Sequence, residues 1–165
     1  MTRRACLRTL AVTGGLFAAG FAAACGRTKS AAMMAGTMGS ATAADMSAYA
    51  DLFARHTEIR RTVEYVPGGI RTVTESDAPD LVALLQAHVA SMYDHLARGA
   101  EVECMSESLP TLFRHAHSYR RGLAKTAKGV VVIETSQDPR VTRAIREHAS
   151  EVSGFVHDGM PAMMR

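Results

Sequence analysis

Apolar residues along the body of the chain recur with two different periods, and the change between them predicts a mixed structure. Over 79–97 they fall at Leu81, Leu84, Leu85, Met92 and Leu96, and over 139–157 at Val141, Ala144, Ile145, Val152, Phe155 and Val156, the spacing of one helix face. Shorter stripes of the same kind predict helices over about 47–58 and 109–118. Between them, Ile70-Arg71-Thr72-Val73 and the run Val130 to Ile133 are β-branched and predict strands. The unbroken run at 130–133 further predicts a strand buried on both faces near the centre of a sheet. Pro67-Gly68-Gly69 reads as a hairpin turn, because glycine reaches positive φ freely. Pro79 and Pro139 each suit a first helical position, where the missing N–H costs nothing.

These elements are two copies of one pattern. Residues 52–88 laid over 112–148 without a gap match at eight of thirty-seven positions: Leu52/Leu112, Phe53/Phe113, Arg60/Arg120, Arg61/Arg121, Gly69/Gly129, Ser76/Ser136, Pro79/Pro139 and His88/His148. Hydrophobic pattern and punctuation recur together, as in a duplication. The repeats cover 48–98 and 108–158, and each reads helix, strand, strand, helix. An internally duplicated αββα unit of this kind predicts an α+β domain over 48–165, with a four-stranded antiparallel sheet covered by helices in two layers.

The duplication also doubles the candidate chemistry. His88 and His148 occupy equivalent places on the apolar faces of equivalent helices, with Met92 one turn after His88. His56 lies in the stripe Leu52, Phe53, His56, although its counterpart is Ala116. An inward neutral imidazole needs a partner for its N–H and another for its lone pair. A metal ion or haem iron meets the second need, and His/Met donors suit copper. A backbone carbonyl and a hydroxyl meet it equally well, in which case the histidines only pack the core. The chain has no C-x-x-C-H, H-E-x-x-H or C-x-x-C pattern in its body. Arg60-Arg61 and Arg120-Arg121 open the first strand of each repeat; they read as solvated strand ends or as a symmetric anion clamp, since guanidinium binds carboxylate or phosphate through two hydrogen bonds.

The reading that follows is a domain that binds a metal ion, haem or small ligand between its repeats without catalysis, with His88, His148, His56 and Met92 as its site. Two alternatives stay open: a structural or protein-interaction role with packing histidines, and a hydrolase-like enzyme with a histidine base and Cys104 as a thiol. Nucleic acid is set aside on charge. The formal charge is +3, but Arg3, Arg4 and Arg8 lie at the extreme N-terminus, and the rest of the chain holds sixteen basic side chains against sixteen acidic ones.

The N-terminus reads as an export address. Thr2-Arg3-Arg4-Ala5-Cys6-Leu7-Arg8 precedes an uncharged run from Thr9 to Ala24, a basic region followed by an apolar one too short for a comfortable membrane span. Phe21-Ala22-Ala23-Ala24-Cys25-Gly26 resembles the lipobox of bacterial lipoproteins, with Ala22 where Leu is commonest. The paired arginines resemble a twin-arginine translocation signal, with Cys6 in the usual place of Phe. The resemblances cover residues 1–26 and imply a cleaved signal over 1–24, lipidation of Cys25, and a domain anchored by lipid on the periplasmic or extracytoplasmic side of the envelope. Residues 25–47, rich in Ala, Gly, Ser, Thr and Met, are expected to form a flexible tether.

Overall fold

The computed structural model describes residues 39–102 and 106–159. The proposed signal segment, Cys25, Cys104, Met105 and the last methionines lie outside the described residues. None of the described helices is long and apolar enough to cross a membrane. The elements run α1 (Ala43–Ala54), a 3-10 turn (His56–Glu58), β1 (Ile59–Val66), β2 (Gly69–Ser76), α2 (Pro79–Arg98), α3 (Leu109–Arg114), β3 (Tyr119–Lys125), β4 (Gly129–Ser136) and α4 (Pro139–Asp158). The fold is the expected α+β arrangement, four α-helices on a four-stranded antiparallel sheet.

The doubled pattern is visible in the bounds themselves: β2 and β4, and likewise α2 and α4, are related by a shift of sixty residues at both ends. The strand order is β1-β2-β4-β3, so the two hairpins join edge to edge through β2 and β4. In that ladder Thr72 pairs with Val132, its own counterpart. A twofold pseudo-axis therefore passes between these two residues. The close β2–β4 contact depends on the retained glycines. A Cβ on Gly69 would stand 1.8 Å from the Glu134 carbonyl oxygen, and one on Gly129 2.0 Å from that of Thr74. Gly68, at φ 73°, supplies the left-handed turn residue of the first hairpin.

Alternation along the strands sorts their side chains between the layers. Ile70, Thr72, Thr74 and Ser76 of β2 and Val130, Val132, Glu134 and Ser136 of β4 are buried beneath the helices. The core joins Ile70 and Tyr119 to Val141, Ala144 and Ile145 of α4, and Ile59 to Leu81 and Leu85 of α2. The opposite sheet face is open, with Ile133 46% exposed. This corrects the expectation for the 130–133 run: β4 is central, but its odd-numbered side chains face outward and only its even-numbered ones are enclosed.

Three boundaries also differ from expectation. The first helix begins at Ala43 rather than 47, because Thr42 and Asp45 close a capping box: the Asp45 amide donates to the Thr42 hydroxyl at 3.1 Å, and the Thr42 amide donates to the Asp45 carboxylate at 2.8 Å. Residues 43–47 are thus part of the domain and not of a tether. The same helix stops at Ala54, and α3 stops at Arg114, short of the expected 58 and 118.

Candidate functional site

Where the sheet's inner face meets the helices, a cavity of about 210 Å³ remains, with Thr72 and Val132 in its floor, so that it straddles the pseudo-axis. Helical spacing turns residues 88 and 92 of α2, and 148 and 152 of α4, toward the sheet, and all four line the cavity. His88 and His148 thus open into one space, as their matched positions require. Tyr49 and Phe53 of α1 and Phe155 of α4 close it with aromatic rings in contact, Tyr49 with Phe53 at 6.3 Å between centroids and Phe53 with Phe155 at 5.8 Å.

The two equivalent histidines have diverged in environment. The Nδ1 atom of His88 is buried with no hydrogen-bond partner among the described residues, and its ring meets the Tyr49 ring edge-on at 5.0 Å. Burial pushes its pKa down to about 4, with the Asp45 carboxylate opposing and His148 adding to the shift. The ring is therefore neutral at pH 7. His148 instead joins a polar cluster: its Nδ1 lies 3.2 Å from the Ser108 hydroxyl and 3.5 Å from the Glu151 carboxylate. Glu151 also accepts from the backbone amides of Glu107 and Ser108, at 3.1 and 3.2 Å, and from the hydroxyls of Ser106 and Ser108. Burial alone would raise the Glu151 pKa, but the hydrogen bonds from His148, Ser106 and Ser108 bring it down to about 2.

This cluster is not a nucleophilic triad. There the acid orients the imidazole through one nitrogen while the other faces the serine. Here serine hydroxyls and acid gather at the same Nδ1, and the acid also binds the amides at the start of α3, which makes the arrangement a helix cap.

His56 is turned to structural use: its Nδ1–H donates to the Val156 carbonyl at 3.0 Å. The Met92 sulfur accepts the Tyr49 hydroxyl at 3.1 Å. Among the described residues no three His, Cys, Asp or Glu side chains gather as a metal ion would need. The expected donors therefore share a wall without forming a coordination set. The space is only modestly larger than the cavity of about 150 Å³ that takes a benzene molecule, far too small for a porphyrin.

The arginine pairs divide between the two faces, as alternation predicts. Arg60 lies on the outer side, paired with Asp77 at 2.7 Å, and Arg120 is exposed there too. Asp77 takes Lys128 as well, at 2.9 Å, and Arg60 and Lys128 together hold its pKa down at about 2. On the inner side, Arg121 donates to the Ala116 carbonyl at 2.6 Å and lies over the Tyr119 ring. Arg61 reaches the cavity and donates to the Thr74 hydroxyl at 2.6 Å, while its Nε is buried without a partner among the described residues. Burial pulls its pKa down to about 10, opposed by the Glu134 carboxylate. The symmetric four-arginine clamp is not formed, because only Arg61 faces the space.

Besides the Ser106, Ser108 and Glu151 cluster, Glu134, Asp45 and His95 also escaped the sequence reading. Glu134 follows the β-branched run and by alternation faces inward with Val130 and Val132; it is 6% exposed and accepts the Tyr93 hydroxyl at 3.0 Å. Burial and this carboxylate together raise the pKa of Tyr93 strongly, and raise that of Tyr119 to about 12. His95, seven residues beyond His88, forms a buried pair with Asp45 at 3.0 Å. Asp45 resists burial's upward push: hydrogen bonds from Thr42, Ser91 and His95 hold its pKa well below the usual carboxylate range.

Comparison with known proteins returned no matching family model, no matching curated protein and no matching solved structure.

Proposed function

We propose that this chain is an exported, lipid-anchored envelope protein that holds one small organic molecule between its two repeats and does not transform it. The observation that carries the reading is the cavity itself. Its walls are mostly apolar, and polar atoms of Arg61 and His88, buried without partners among the described residues, stand in its lining. Native interiors leave few such atoms unsatisfied, and a bound molecule is one way to complete them. Scaled from benzene, the volume suits a ligand of roughly 8 to 10 non-hydrogen atoms. The export address and the anchor at Cys25 rest on the resemblance of residues 1–26 to lipoprotein signals.

The test is native mass spectrometry of the full chain extracted from its own envelope, paired with thermal melts against a panel of neutral and acidic compounds of that size. The expected result is a co-purified small molecule, or a melting temperature that rises with ligand concentration. Val152→Phe, which places a ring in the cavity, should abolish the rise while the variant still folds. A wild-type protein with no adduct and no response to any compound overturns the proposal.

A further inference from the structure

One inner-face difference between the two repeats bears on what the cavity could hold. In the second repeat Arg121 stands across the β3–β4 ladder from Glu134, and in the first Arg61 stands across the β1–β2 ladder from Thr74. These are equivalent pairs, so the first repeat presents an arginine and a hydroxyl where the second presents an arginine and a carboxylate. The cavity reaches Arg61, Thr74 and Glu134, whereas Arg121 is turned to the Ala116 carbonyl and Tyr119.

We infer that the bound molecule is a small monocarboxylate with a compact apolar body, whose carboxylate docks on Arg61 in the place that a Glu134 counterpart would fill. The inference rests on the cavity reading above and specifies its ligand. Among the described residues two guanidinium groups and one carboxylate lie on the deep inner face, and neither guanidinium makes a direct ion pair with that carboxylate. A guanidinium taken out of water is costly unless a charged, hydrogen-bonding partner is near. Among the described residues Arg61 has only the Thr74 hydroxyl at 2.6 Å, with its Nε unbonded, while Glu134 acts on it through space and already accepts from Tyr93. A carboxylate offers two acceptor atoms matched to the guanidinium fork. A dianion is disfavoured, because Glu134 lines the same space. The apolar lining from Phe53, Leu85 and Val152 suits the remainder of the molecule.

The test measures binding of benzoate and hexanoate to the full chain, beside their uncharged amides, benzamide and hexanamide, by calorimetry at neutral pH. Wild-type protein should bind at least one acid about tenfold more tightly than its amide, the size of one charge-assisted contact. Which acid wins distinguishes an aromatic ligand from a short aliphatic one. Arg61→Met should erase the preference. Thr74→Glu, which recreates the second repeat's pair inside the first, should erase acid binding and also raise the melting temperature; this second variant decides the matter if Arg61→Met does not fold. Equal binding of acid and amide overturns the carboxylate inference and leaves the cavity reading standing. Failure of all four compounds to bind, with no response in the wider panel, removes the cavity reading itself.

Discussion

Ser91 and Glu151 hold the same position in the two long helices, and each secures the start of the short helix in its own repeat. Ser91 donates to the Asp45 carboxylate at 2.7 Å, and Asp45 caps α1; Glu151 accepts the amides of Glu107 and Ser108 at the head of α3. The duplicated fold thus keeps the task and changes the chemistry. α3 is a six-residue helix with too few internal bonds to persist alone, so its place over the cavity depends on this anchor.

Glu151→Ala leaves two amides and two hydroxyls without their acceptor and should lower stability by about 2 kcal/mol. For a domain of this size that is a fall of roughly 6 to 10 °C in melting temperature. A urea titration showing an unchanged midpoint would contradict the capping role.

The pair Asp45–His95 is buried on both sides, at 5% and 4% side-chain exposure. Removing either partner alone strands the other away from water, so Asp45→Ala should cost about 3–5 kcal/mol. Removing both should cost less than the sum of the single changes, by on the order of 1–3 kcal/mol of coupling. Strict additivity in a double-mutant cycle would mean that the contact contributes nothing of its own.

Stability should depend on the protonation of His88. Its pKa lies at about 4 in the fold against an ordinary 6.5, so between those values the unfolded chain takes up a proton that the folded chain refuses. Stability is then constant above the upper value and declines as the pH falls toward the lower one, by up to about 3 kcal/mol. His88→Met, which fills similar space and does not titrate, should flatten that slope; urea midpoints at about pH 7 and pH 5 measure it. The further losses expected from Asp45 and Glu151, whose values are depressed, set in as the pH falls through the ordinary carboxylate range, continue toward their lower folded values, and should persist in the variant.

Glycine substitutions should separate by location. Gly69→Ala and Gly129→Ala push a methyl into a carbonyl of the neighbouring strand and should each cost more than about 2 kcal/mol. Gly154 lies inside α4 with nothing within 4 Å of a built Cβ, and Gly154→Ala should stabilise by about 0.5–1 kcal/mol. Thermal melts of the three variants test both signs at once.

The offset of sixty, the proline-led helices and the inward turn of His88 and His148 were legible because each leaves a mark in the order of side chains. The edge-to-edge union of β2 with β4 was not, since a ladder of backbone bonds has no side-chain signature. Asp45 was hidden in a segment of small residues whose composition suggested a tether, although Thr42-x-x-Asp45 is a capping pattern. His95 was hidden because Met92 and Leu96 already completed the apolar stripe around it. The open outer face of β4 was missed because Val131 and Ile133 are β-branched on the exposed side as well.

A pseudo-axis between Thr72 and Val132 means that a chain of one repeat, pairing through β2 with a second copy of itself, would build the same sheet with a chamber on its dyad. In such a homodimer every change is made twice, and both ends of the chamber stay alike. Joining the copies in one polypeptide lets each half drift separately. Thr74 against Glu134, both in the chamber's lining, and Ser91 against Glu151, at the starts of the two short helices, record that drift, so the two ends of the chamber are no longer alike.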